Sequence, residues 1–309
     1  MKTFFSFPSR DGKHEISSII WQDKTVTPIA VVQIIHGMAE FLERYEEIAT
    51  YLAKQGVIVV GDDHLGHGKT AETTNELGYF CKRHAHIVLV RDEHRLKKII
   101  QQKFPRLPYF ILGHSMGSLI LRNYLMHYGQ GIQGAIICGT GYYNKLAVLA
   151  GKFLISTLKL SQREYKKSAL MDQILFGNFN AKTDKDTSFD WLCNDKNVVE
   201  QYMNHPKCGF LFTINGYETL LNLCFHITNK NALQKMPKEL PLFIISGKQD
   251  PVGKYGKGID LLYDSYKKIG MQNVKMKLYD DCRHELLNEE KKNEIYSDIK
   301  NWVVSIINN

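Results

Sequence analysis

Short apolar runs alternate with amphipathic stretches along most of this chain. Residues 29–35 are almost wholly apolar, and so are residues 57–60, 108–112, 134–138 and 242–247. Runs of this length, rich in β-branched and aromatic residues and bounded by Gly or polar residues, predict strands buried on both faces. Residues 274–279 alternate polar and apolar positions and predict a further strand. Near the N-terminus, predicted strands at residues 3–7 and 14–21 flank Asp11-Gly12, a hairpin turn signal. Helical spacing predicts helices at residues 41–55, stopped by Gly56, and from about 84 to 103. It predicts others at 118–126, at 259–269, stopped by Gly270, and at 285–307. Strands alternating with helices in this way predict an α/β fold: a mostly parallel eight-stranded sheet with helices on both faces.

The alternation breaks between about residues 142 and 231 and resumes at Pro241. That predicts core at residues 1–141, a helical cap at 142–231 and the rest of the core at 232–309. Residues 146–160 form an apolar-rich helical stretch carrying Lys152 and Lys159, with Lys145 just before it. Its apolar face can pack on the core, or it can touch a membrane surface as a lid.

Composition narrows the class. Apolar residues make up 44 % of 309, enough for a full core. The formal net charge is +8, but the lysines are scattered and no basic run has interleaved aromatics, so no nucleic-acid footprint is expected. Six cysteines lie far apart without a C-x-x-C pair, as free thiols in a reducing compartment do. The first ten residues hold too short an apolar stretch for a signal peptide, and no run reaches membrane-spanning length. These features predict a cytoplasmic protein. Asp62, Asp63, His64 and His67 crowd one loop, and His84 and His86 another. Neither set has the further ligands of a recognisable metal motif, so no metal and no cofactor is expected.

The chemistry concentrates at Gly113-His114-Ser115-Met116-Gly117, a G-x-S-x-G pentapeptide between a predicted strand and a predicted helix. That context is the one a nucleophile elbow requires. The turn lifts Ser115 Oγ clear of the sheet and aims the Met116 N–H into the same space. A serine hydroxyl needs a base, and the base an orienting acid. Asp250 follows the predicted strand 242–247, and His284 lies in the loop after 274–279. Ser, Asp, His is the chain order of hydrolases built on this elbow. The loop His36-Gly37-Met38 follows the 29–35 strand, where a second oxyanion donor should arise, and the Met38 N–H is the candidate.

With these residues in view, the chain resembles the α/β-hydrolase superfamily, in the branch of monoacylglycerol lipases and bacterial lysophospholipases. His36-Gly37-Met38-Ala39-Glu40 with Arg44-Tyr45 is similar to its H-G-x-x-E…R-Y segment. Asp63 to Gly68 is similar to its D-x-x-G-H-G turn, and Gly113 to Gly117 matches its G-H-S-M-G elbow. Asp250-Pro251 and Arg283-His284-Glu285 match its acid and base loops. Met38-Ala39 departs from the small residue plus glycine of many lipases in the branch. The resemblance implies hydrolysis of a small-molecule acyl ester through an acyl-enzyme, with the cap housing the acyl chain. Glu40 and Arg44 become candidates to meet a polar leaving group such as glycerol, or form a structural pair at a helix start. Aminopeptidase, amidase and thioesterase chemistry share the triad. An amine site would draw on Asp184, Asp186, Asp190, Asp195 or Glu200. A catalytically silent binding module is the third reading.

Overall fold

A computed structural model describes residues 1–71 and 76–308. All eight strands form in one sheet: β1 (Lys2–Pro8), β2 (Glu15–Trp21), β3 (Ala30–Ile35), β4 (Val57–Asp62), β5 (Tyr109–His114), β6 (Gly134–Cys138), β7 (Leu242–Gly247) and β8 (Val274–Tyr279). Their order is β1-β2-β4-β3-β5-β6-β7-β8. β2 runs antiparallel to both its neighbours, and the strands from β4 to β8 pair in parallel. The first hairpin is therefore an antiparallel flank on a parallel sheet. β8 is the opposite edge, and it carries Lys275 and Lys277 at alternate positions.

The helices are α1 (Glu46–Lys54), α2 (Ala85–Lys103), α3 (Met116–Tyr128), α4 (Lys145–Ser161), α5 (Ala169–Phe176), α6 (Lys196–Asn204), α7 (Ile214–Ile227), α8 (Lys230–Leu233), α9 (Lys257–Lys268) and α10 (Lys292–Ile307). Side chains alternate across each central strand. Val31, Ile35, Ile111, Ile137 and Ile244 face one layer with Leu121 of α3, Leu96 of α2 and Leu262 of α9. Val32, Ile34, Leu112, Ile136 and Ile245 face the other, with Leu52 of α1 and Ile299 of α10. This is why the central runs read as continuous apolar stretches.

Two expectations are corrected. The helix read at 41–55 begins as a 3₁₀ turn, Leu42–Tyr45, and becomes α1 only at Glu46. Leu42 N–H is drawn to Asp63 Oδ1 at 2.8 Å, and Tyr45 and Arg44 turn inward to Glu40. The helix read from residue 285 begins at Lys292, because Glu285 and Glu289 are spent on tertiary bonds before it. The stretch expected to form a cap, 142–231, holds α4 to α7. Helix α7 lies within it, yet Ile214, Tyr217, Leu221 and Leu223 are buried in the same apolar cluster as α2 and α3. Its buried residues cover more than one face.

Helix α4 buries Val148 and Ile155 and leaves Leu146, Phe153 and Leu160 76, 73 and 88 % exposed. Leu170 and Ile174 of α5 are about half exposed, at 52 and 53 %. The six cysteines are unpaired and buried. No helix among the described residues is long and apolar enough to cross a membrane.

Candidate active site

Ser115 stands between the end of β5 and the first residue of α3, with φ +52° and ψ −120°. An L-residue pays for that conformation, and the packing around it holds it there. Gly117 allows the close approach of helix to sheet: a Cβ there would strike the Ile35 carbonyl and lie 2.5 Å from that of His36. Gly113 is needed for the same reason, its Cβ falling 2.5 Å from the Gly117 carbonyl.

The three residues expected to act together meet. His284 Nε2 lies 2.8 Å from Ser115 Oγ, and His284 Nδ1 lies 3.0 Å from Asp250 Oδ2. Asp250 is fully buried. Its Oδ1 accepts the Val252 N–H at 2.8 Å, and Ser246 Oγ donates to Oδ2 at 3.3 Å. With Asp250 accepting from Nδ1–H, the tautomer leaves Nε2 free to take a proton from the serine.

The loop after β3 supplies the facing wall. Gly37 sits so near the elbow that a Cβ would lie 3.1 Å from Ser115 Cβ. Gly37 N–H is committed to Glu40 Oε1 at 2.6 Å, and Ala39 N–H to His67 Nε2 at 3.2 Å. The Met38 N–H lies between these two committed donors. Met116 opens α3, where the first N–H groups have no intrahelical acceptor. These are the two amides expected to form the oxyanion hole.

The structure ties Glu40 and Arg44 to each other and to further protein groups. Glu40 accepts from Gly37 N–H, Tyr45 OH and Arg44. Arg44 grips Glu285 with two bonds, at 2.6 and 2.7 Å, and lies over the Tyr202 ring. His114 Nε2 donates to the His284 carbonyl at 3.1 Å, and its Nδ1 meets Tyr45 OH at 2.9 Å. Burial works against the His114 cation, but hydrogen bonding and charge attraction from Glu40 prevail and raise its pKa. Glu40, Tyr45 and His114 thus link the loop at Gly37 to the backbone of the candidate base.

Beneath the same loop lies a layer of histidines. His64 stacks on His36 with ring centroids 3.9 Å apart, and its Nε2 donates to the His36 carbonyl at 3.2 Å. Burial lowers the His67 pKa to about 3, so it stays neutral and accepts the Ala39 N–H. His64 Nδ1 faces Asp62 Oδ1 at 3.1 Å and Glu93 Oε1 at 3.3 Å. Asp62, His64 and Glu93 bring ligand-type atoms within 4.8 Å of one another. Glu93 comes from α2 and was invisible in the loop's sequence. Gln33 donates to Glu93, and Tyr109 OH donates to Gln33.

This cluster makes a stability prediction. Burial, then repulsion from Asp62, raises the Glu93 pKa well above 4.5, so the folded chain holds a proton that the unfolded chain gives up. The sign follows. The contribution is full below the unfolded pKa and is lost as pH rises towards the folded one, at about 1.4 kcal/mol per pH unit. Glu93→Gln, which mimics the protonated acid, should therefore raise the melting temperature at pH 7. The gain should vanish near pH 4, as thermal unfolding across that range would show.

The acids considered for an amine site are used otherwise. Asp190 accepts the Asp186 N–H and the Thr187 hydroxyl, Asp195 caps α6, and Asp186 pairs with Lys196. Asp184 and Glu200 are exposed. Trp191 was not singled out from the sequence, yet its ring lies 5.1 Å from that of His284.

Comparison with known proteins places this geometry in a family. The family model for serine aminopeptidase, S33, matches residues 26–291. A monoglyceride lipase of Rattus norvegicus is 28 % identical over 284 residues, covering 90 % of this chain and 83 % of the relative. A monoacylglycerol lipase of Mycolicibacterium smegmatis is 26 % identical over 290 residues, covering 93 and 91 %. A thermostable carboxyl esterase from Bacillus coagulans, solved in complex with glycerol, superposes with a TM-score of 0.92 at 30 % identity, covering 99 % of each chain. The chain belongs to the S33 serine aminopeptidase family of the α/β-hydrolase superfamily, in its monoglyceride lipase and lysophospholipase branch.

Proposed function

We propose that this chain is a carboxylic ester hydrolase acting on lipid-like substrates, a monoacylglycerol or a lysophospholipid, through an acyl-enzyme on Ser115. The observation that carries the reading is the continuous bonding from Asp250 through His284 to Ser115 Oγ, at 3.0 and 2.8 Å. His284 Nε2 takes the hydroxyl proton as Oγ bonds to the ester carbonyl carbon. The carbonyl electron pair moves to oxygen, where the Met38 and Met116 N–H groups hold it. The tetrahedral adduct expels the alcohol, which leaves with the proton from His284. Water then repeats the sequence, releasing the acid and restoring Ser115.

The relatives named as lipases and lysophospholipases support the lipid class. The amidase reading has less support, since Asp190 and Asp195 serve local turns. The test is a panel of monoacylglycerols, lysophospholipids and aminoacyl anilides. The reading expects turnover of the esters and little of the anilides; the reverse order would replace it with an aminopeptidase.

The stretch around α4 and α5 supports a lid that meets lipid. Leu146, Phe153, Leu160, Leu170 and Ile174 are exposed, and Lys145, Lys152 and Lys159 recur every seven residues along α4. Burial of one such apolar side chain stabilises by about 1.5–3 kcal/mol, or roughly 10- to 150-fold in partitioning. Phe153→Glu with Leu160→Glu should therefore abolish co-sedimentation with anionic phospholipid vesicles. Turnover of a water-soluble short-chain ester should be unchanged. Buried free thiols are consistent with a cytoplasmic protein that docks from that side.

A further inference from the structure

The loop carrying His284 is held from two directions. From the sheet, Gln249 N–H donates to the Cys282 carbonyl at 2.9 Å. From the other side comes a short stretch of the insertion, residues 190–194. Glu285 N–H donates to the Leu192 carbonyl at 2.7 Å. Arg283 Nη1 donates to the carbonyls of Asp190, at 2.7 Å, and Cys193, at 3.2 Å. Asn194 Nδ2 donates to the Asp281 carbonyl at 2.9 Å.

Glu289 gathers these pieces. It is 1 % exposed, and its carboxylate accepts the Arg283 N–H at 2.6 Å and the Asn194 N–H and Nδ2, both at 3.2 Å. A carboxylate is costly to bury, and it is tolerated where several N–H groups converge on it. The peptide N–H before His284 is thus bound by Glu289, and the one after it by the inserted segment. Trp191 belongs to that segment, and its ring meets the imidazole at 42°. Phe179 supports Trp191 edge-on, with centroids 4.9 Å apart.

We propose that Glu289 is a positioning residue for the reaction. By binding Arg283 and Asn194 together, it joins residues 190–194 to the base loop and sets where the His284 imidazole stands. Trp191 becomes a fixed wall beside the base, and any opening of the insertion is confined to α4 and α5. This rests on the reading of Ser115, Asp250 and His284 as the triad.

The test uses the full chain with Glu289→Gln, Glu289→Asp and Asn194→Ala. Each is titrated to completion with a fluorophosphonate, so that rates are expressed per competent site. A water-soluble p-nitrophenyl ester serves as substrate. A displacement of about 1 Å at a catalytic group costs about 10²-fold. Glu289→Gln, which keeps one acceptor oxygen but removes the charge that draws the Arg283 and Asn194 donors together, should lower kcat per site about 10²-fold with KM nearly constant. Glu289→Asp should recover part of the rate, and Asn194→Ala should lose about tenfold. Wild-type kcat per site in Glu289→Gln and Asn194→Ala, with loss confined to melting temperature, would overturn the proposal. If Glu289→Gln does not fold, Asn194→Ala decides alone. A His284→Ala protein with full turnover would instead remove the triad reading.

Discussion

Replacing Ser115 by alanine is expected to lower ester turnover on the order of 10⁶-fold, because triad members act as one unit. Fluorophosphonate labelling of the chain should vanish with it. The fold should survive: the hydroxyl that is lost bonds to His284, and alanine accepts the same backbone as serine. Neither residue relieves the positive φ at this position. Glycine does, so Ser115→Gly should be inactive yet about 1 kcal/mol more stable than Ser115→Ala. Residual labelling in Ser115→Ala would place the nucleophile elsewhere and remove the reading of the site.

The second large effect is expected at Gly117, which touches no reacting atom. A methyl group there would press on two backbone carbonyls, those of Ile35 and His36, and backbone yields less readily than a side-chain tip. Those carbonyls lead into the loop whose Met38 N–H is assigned to the oxyanion. Gly117→Ala should therefore cost about 3 kcal/mol of stability through overpacking. It should also cost about 10²-fold or more in kcat, by displacing one oxyanion donor. Thermal unfolding and steady-state kinetics on the same preparation separate the two losses. A stable and fully active Gly117→Ala would mean that the loop adjusts without moving Met38.

Much of this was legible in the chain, for identifiable reasons. Strands β3, β5 and β7 are buried on both faces, so their apolar runs are unbroken. The elbow announces itself because the turn tolerates only small residues at 113 and 117. Asp250 and His284 stand out as candidates because each follows a strand in the parallel part of the sheet. What was hidden depends on contacts between distant segments. Glu289 reads as a surface residue of a helix, but it meets Asn194 from 95 positions away. Glu93 lies on a strongly charged helix, and nothing local says that its side chain enters the core beside Asp62. Glu40 and Arg44 read as leaving-group contacts or as a local pair; the distant partner that grips Arg44 is Glu285, 241 positions away. Helix α7 lay inside an irregular stretch, and its burial follows only from the layer it completes.

The lysines of β8 bear on how this molecule behaves at high concentration. An outer strand offers unpaired amides and carbonyls to any strand that arrives. Here Lys275 extends over the Phe243 ring, and Lys277 is bound to Glu294 and Asp298. A second copy adding to that border would have to strip water from one cation and displace another from its carboxylates. That border therefore resists the arrival of a further strand, where a plainly apolar one would invite it.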